Sequence, residues 1–198
     1  MAHRLRQLAR DTRGITIVEF ALVAPVLLMT VLGSLELGHT MYAQTVLDGQ
    51  LQKAARDMAL EGSASATRRA VVEGEVRRRI RQISHEARID FTQTAFYNYT
   101  KARNRAEEMV RDANADGVCQ AGDTFVDYNR NGIRDTDTGV RGRGGAKDVV
   151  LYEARVAYPR LGLGRMFGYS DTVTLHAKTL LRNQPSELQA EPLNGTCA

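Results

Sequence analysis

Four histidines and two cysteines among 198 residues leave little for metal-hydrolase or redox chemistry. His3, His39, His85 and His176 are scattered, with no H-E-x-x-H and no C-x-x-C, so a zinc-peptidase helix and a thioredoxin-type pair are both excluded. No G-x-S-x-G is present either. The glycines from Gly139 to Gly145 precede Lys147 at the wrong spacing for a phosphate loop, and no Ser or Thr follows that lysine. Gly162, Gly164 and Gly168 miss the dinucleotide fingerprint by one residue. The chain therefore carries no recognisable catalytic apparatus and reads as a non-enzyme. A surplus of positive charge is also missing where a nucleic-acid binder needs it. The net charge is +4, but Arg4, Arg6, Arg10 and Arg13 against Asp11 place +3 of that in the first 14 residues, leaving +1 for the rest. That is no footprint for a polyanion.

What is abundant is an apolar run. From Ile15 to Leu35 the only charged residue is Glu19. About 21 residues give roughly 31 Å of helix, enough to cross the hydrocarbon of a bilayer. The basic leader before it reads as the positive-inside signal, placing the N-terminus in the cytoplasm and everything after Glu36 outside. Pro25 is compatible with a membrane helix as a kink. An ionisable group within such a span costs on the order of 2.5–3.5 kcal/mol at mid-bilayer and less near the interface, so Glu19 calls for a functional explanation.

The arrangement of a basic leader, then Gly14-x-x-x-x-Glu19-Phe20, then an apolar helix resembles the processing signal of type IV-like prepilins. The continuation FALVAPVLLMTVLGSLELG is similar to the TadE-like pseudopilins of tight-adherence (Flp-type) pilus systems. The resemblance implies cleavage by a prepilin peptidase after Gly14, with Ile15 as the new N-terminus and Glu19 as the fifth mature residue. It also implies an inner-membrane, single-pass protein of a bacterium, packed beside other pilin-like subunits of the assembly machinery. A carboxylate at Glu19 is less costly if it meets the new ammonium of Ile15, its own or a neighbour's. Two readings compete: an uncleaved single-pass anchor in which Gly14 and Glu19 coincide by chance, and a secretory signal peptide, against which stand the length of the run and the lack of an A-x-A site.

Beyond the membrane the helical pattern continues through Leu47, Leu51, Ala54 and Met58, predicting an extension over 38–61 that Gly62 and Ser63 end. Two separate helices would satisfy the same pattern. A second helix is predicted over 66–87, with Val72, Val76, Ile80, Ile83 and Ala87 on one face and Arg68, Arg69, Arg78, Arg79 and Arg81 on a solvated one. Strand character begins at Ile89, Phe91 and Thr92. Alternation then predicts strands over Val149–Leu161 and Thr172–Leu181, joined through a Gly-rich connection over 162–171. The ending Arg182-Asn183-Gln184-Pro185 resembles the turn that closes the family's soluble part. The expected fold is α+β: a pilin-like long N-terminal helix, then a second helix and a small antiparallel sheet in an extracytoplasmic head over 62–198.

Within that head, residues 112–138 hold two candidate metal loops. Asp112, Asn114, Asp116 and Gly117 form one D-x-N-x-[DN]-G opening; Asp127, Asn129, Asn131 and Gly132 form another. Calcium takes six to eight hard oxygens, alternate positions point short oxygen side chains inward, and glycine at the sixth allows the sharp turn. The carbonyls of Val118 and Ile133 would add ligands, with Asp123 at position twelve of the first loop and Asp135 or Asp137 closing the second, where Thr138 stands at position twelve. Asx-rich surface turns without metal are the competing reading. Cys119 lies in the first loop and Cys197 is penultimate; a disulfide between them suits an oxidising periplasm, two thiols a reducing compartment. Function then divides between a processed pseudopilin and an uncleaved, membrane-anchored calcium-binding adhesin or envelope sensor.

Overall fold

In the computed structural model, the residues described are 15–59, 66–160, 168, 170–184 and 188–197. The leader with Gly14, the helix-ending Gly62 and Ser63, most of the connection over 162–171, and Pro185 lie outside them. Helix α1 runs Ile15–Ala59, 45 residues with Pro25 inside, about 68 Å at 1.5 Å per residue. It is one continuous helix, so the two-helix arrangement that the pattern also allowed does not occur. Hydroxyls in its first half bond back to their own helix, Thr30 Oγ1 to the Val26 carbonyl at 2.8 Å and Ser34 Oγ to that of Val31 at 2.8 Å. That satisfies side-chain donors without water, which suits hydrocarbon.

The described residues divide into two units. One comprises residues 15–42 of α1 with Arg160, Gly168, Ser170 and Asp171. Its large apolar side chains, from Ile17 to Tyr42, are turned outward. Near its C-terminal end Arg160 Nη1 meets Glu36 Oε1 at 2.8 Å, with Arg160 Nε donating to the Ser170 carbonyl.

The other unit begins at Ala43, where α1 changes from exposed to buried. Ala43, Leu47, Leu51, Ala54, Ala55 and Met58 form one stripe of the core. Helix α2, Ala66–Ile83, adds Val72, Val76 and Ile80. Its predicted end at Ala87 is four residues too far. A turn closed by Ser84 N–H to Ile80 carbonyl and Ala87 N–H to Ser84 carbonyl replaces the last turn of helix, and Ala87 is buried either way, so its apolar character did not mark the boundary.

Both helices supply side chains to a core shared with one face of an antiparallel sheet. That sheet uses β1 (Arg88–Phe96), β4 (Val140–Arg141), β5 (Val149–Pro159) and β6 (Thr172–Arg182) in the order β4-β1-β5-β6. Period-two alternation sends Tyr152, Ala154, Val156 and Tyr158 of β5 inward with Val173, Leu175 and Ala177 of β6. Each fully buried aliphatic or aromatic side chain contributes about 1.5–3 kcal/mol. Tyr152, stacked on Phe91 with centroids 5.7 Å apart, has its phenol pushed well above the ordinary value by burial. On the opposite face Asp90 pairs across strands with Arg155, and Glu153 with Lys178, giving a polar surface of alternating sign.

Five elements have no counterpart in the sequence reading: β4 and the four that follow. Helix α3, Tyr99–Arg103, is capped by Asn98, whose side chain accepts the Lys101 N–H at 2.9 Å. Strands β2 (Met109–Arg111), β3 (Thr124–Asp127) and β7 (Leu193–Thr196) form a second antiparallel sheet in the order β2-β3-β7. This sheet carries the two acidic loops.

Candidate functional site

The first predicted site is the start of α1. Glu19 and Phe20 lie in its second turn, both exposed, and Glu19 sits one turn along from Ile15, on the same helix face. Gly14 is outside the described residues. Among the described residues α1 is the one helix long and apolar enough to cross a membrane, with a mean hydropathy of 2.1 in its apolar window and none of that window buried. It fits a single-pass anchor.

The two Asx loops share one backbone design. In the first, Asp112 Oδ2 accepts the Gly117 N–H at 2.8 Å, and Asp116 Oδ1 accepts that of Val118 at 2.7 Å. In the second, Asp127 Oδ2 accepts the Gly132 N–H at 2.7 Å, and Asn131 Oδ1 accepts that of Ile133 at 2.8 Å. Position one thus holds position six, and position five holds position seven, in both. The sixth residues Gly117 and Gly132 have φ of 76° and 79°, the left-handed region glycine tolerates. The fourth residues, Ala115 and Arg130, also take positive φ, 59° and 61°. In the second loop the amides of Asn129 and Asn131 both donate to Asp135 Oδ2 at 2.6 Å, so positions three, five and nine converge on one point.

A buried carboxylate clamps the foot of each loop. Asp123, at position twelve of the first, is buried and bonds two backbone amides of its own loop. Its Oδ1 accepts the Ala113 N–H at 2.8 Å and its Oδ2 that of Gln120 at 3.0 Å, and these amides hold its carboxyl below the usual range. Glu107 does the same for the second loop, taking the N–H groups of Tyr128 and Asp135 at 2.8 and 2.9 Å. The sequence reading missed Glu107, which no motif marks, since it precedes its loop by twenty residues on an irregular segment. Lys101, also buried, ties α3 to this region through the Ala106 carbonyl at 3.0 Å, Glu108 Oε1 at 2.7 Å and the Tyr128 ring at 4.4 Å.

The donor sets can be weighed against calcium. Each loop offers two carboxylates (Asp112 and Asp116; Asp127 and Asp135), side-chain amides and a position-seven carbonyl, hard oxygens of the required type. At position twelve, Asp123 accepts backbone N–H groups of the first loop and Thr138 stands in the second. No group of three or more His, Cys, Asp or Glu able to hold a metal occurs among the described residues.

Cys119 and Cys197 are joined in a disulfide, with Cα atoms 5.4 Å apart and a sequence separation of 78. The pairing of β3 with β7, Thr124 opposite Thr196, brings the C-terminus alongside, and Cys197 N–H donates to the Asp123 carbonyl at 3.0 Å. The carboxylate that clamps the first loop and the covalent tie thus act on the same few residues.

Compared with known proteins, residues 14–57 match the family model described as TadE-like protein. The match opens on Gly14 and takes in the whole apolar half of α1. No curated protein and no solved structure matches the chain.

Proposed function

We propose that this chain, TadE-like over residues 14–57, is a minor pseudopilin of a tight-adherence pilus assembly system, a non-enzymatic subunit processed after Gly14. The observation that carries the reading is the coincidence of the TadE-like segment with the single apolar helix, beginning at the glycine that precedes Ile15 and Glu19. The anchor lies in the bacterial inner membrane with the head outside, where an oxidising compartment suits the Cys119–Cys197 bond. After cleavage the new ammonium at Ile15 and the Glu19 carboxylate, one helical turn apart, form a complementary pair in hydrocarbon, within one chain or between neighbouring helices packed side by side. Prepilin peptidase and other pilin-like subunits are the partners of this reading.

N-terminal sequencing of the protein extracted from membranes of the native host tests it. The expected sequence is ITIVEF. An intact Met1 form from cells with active prepilin peptidase would overturn processing and leave the uncleaved anchored module.

Calcium is the cofactor proposed for the loops, supported by the repeated D-x-N-x-[DN]-G pattern and the shared left-handed glycine at position six. A ligand that binds only the ordered loops stabilises by RT ln(1 + [L]/Kd), about 2.7 kcal/mol at a hundredfold excess over Kd. Calcium is therefore expected to raise the melting temperature of the full chain in detergent, and Asp112→Ala with Asp127→Ala to abolish the rise. Equal melting in chelator and in millimolar calcium would show these loops to be plain Asx turns.

A further inference from the structure

Charge in the head is segregated. Helix α2 carries six arginines against Glu73 and Glu75, a net +4. Residues 112–137 carry six aspartates against Arg130 and Arg134; Asp123 and Asp127 are buried, so the outward charge is four aspartates against those two arginines, a net −2. Glu75 meets Lys53 at 3.2 Å and Arg78 at 3.9 Å, Glu73 meets Arg77 at 3.7 Å, and Asp137 meets Arg105 at 2.9 Å. With both glutamates of α2 so engaged, the outer arginines remain in excess.

Each patch also exposes apolar surface beside its charges. Successive turns of α2 bring Val71, Gly74, Arg78 and Arg81 onto one outward stripe, and His85 follows in the turn beyond the helix. Val71 is 62% exposed, and a Cβ built on Gly74 would meet nothing within 4 Å. A hollow of about 430 Å³ lies there, lined by Gly74, Arg77, Arg78, Arg81, Gln82 and His85. On the loops, the position-seven residues Val118 and Ile133 are exposed apolar tips, 55% and 65% accessible, each set among carboxylates. One patch is a shallow hollow lined mainly by arginine, with the exposed Val71 one helical turn along; the other is a pair of apolar tips rimmed by aspartate.

We infer that the α2 stripe is a docking surface for the acidic loops of a second copy of this chain. A loop tip seats at Val71 and Gly74, and the aspartates beside it face Arg78 and Arg81. The contact is heterologous, since the two surfaces differ, so each copy keeps one free stripe and one free loop pair. Repetition then extends a row of heads rather than closing a pair. The inference concerns the head alone and holds whether or not the leader is removed.

Charge reversal with complementation tests it, by sedimentation of the full chain in detergent with chelator present. Self-association of the unchanged chain is expected to weaken steeply between low and high salt. Arg78→Glu with Arg81→Glu should weaken it about tenfold, as should Asp116→Lys with Asp137→Lys. Mixing the two variants should restore it, because each then offers what the other lacks. Melting curves report whether the loop variant folds. If it does not, the α2 variant decides alone, since its substitutions lie on an exposed helix face. Association that is indifferent to salt, an α2 variant that associates as tightly as the unchanged chain, or two folded variants that fail to complement would each overturn the inference.

Discussion

Asp123 shows how a residue's type and its work can diverge. Its position in the first loop marks it as a calcium ligand, but both of its oxygens are taken by the N–H groups of Ala113 and Gln120. Those bonds favour the ionised form and hold its carboxyl below the ordinary range near 3.9. Because the folded value is the lower one, the stabilisation is fully present above about pH 4 and is lost as pH falls through the folded value. Asp123→Asn should therefore melt below the unchanged chain at pH 7, and the gap should narrow as pH drops below about 4. A gap that is constant from pH 7 to pH 2.5 in paired melts would show that the charge does not matter. Glu107, which accepts the N–H groups of Tyr128 and Asp135 at the second loop, was invisible in the sequence because a clamp is defined by which amides it meets across the fold.

At the scale of elements, the long periodic segments were legible. The apolar run and the heptad-like spacing after it predicted one helix, and α1 is one helix. The alternation over 149–161 and 172–181 predicted β5 and β6 to within two residues at each end. The second sheet was not legible, because strands of three and four residues are too short to show a period. What holds β3 and β7 together is close packing: a Cβ on Gly195 would fall 2.3–2.8 Å from three ring carbons of the buried Phe125. Gly195→Ala is expected to cost about 1–3 kcal/mol through displacement of that ring. A chemical-denaturation midpoint within error of the unchanged chain would mean that the strand shifts freely, and that β7 is not gripped by Phe125.

At the scale of the whole molecule, the core of the head draws on α1 from Ala43 onward. A fragment starting at residue 62 would leave out Leu47, Leu51, Ala54, Ala55 and Met58, so stability is best measured on the full chain. The disulfide spans 78 residues, a separation for which the chain-entropy model gives about 4 kcal/mol, with 2–4 typical in practice. Cys119→Ser should lower the melting temperature in chelator and in calcium alike, since the tie acts on the unfolded ensemble whether or not a metal is bound. A loss seen only without calcium would instead make the tie a substitute for the ion.

Sequence alone determined the features whose physics is local. An apolar segment of membrane length, a leader of net positive charge, period-two and period-3.6 burial, and Asn, Asp and Gly at turn-forming positions each follow from a residue and its near neighbours in the chain. Only the tertiary structure decided what depends on partners far along it: Cys119 beside Cys197, Phe125 over Gly195, Glu107 reaching Tyr128 and Asp135, and Asp123 turned from a ligand position to a backbone clamp. Those pairings rest on strand register and on the burial of specific atoms, and neither is written in the spacing of residues along the chain.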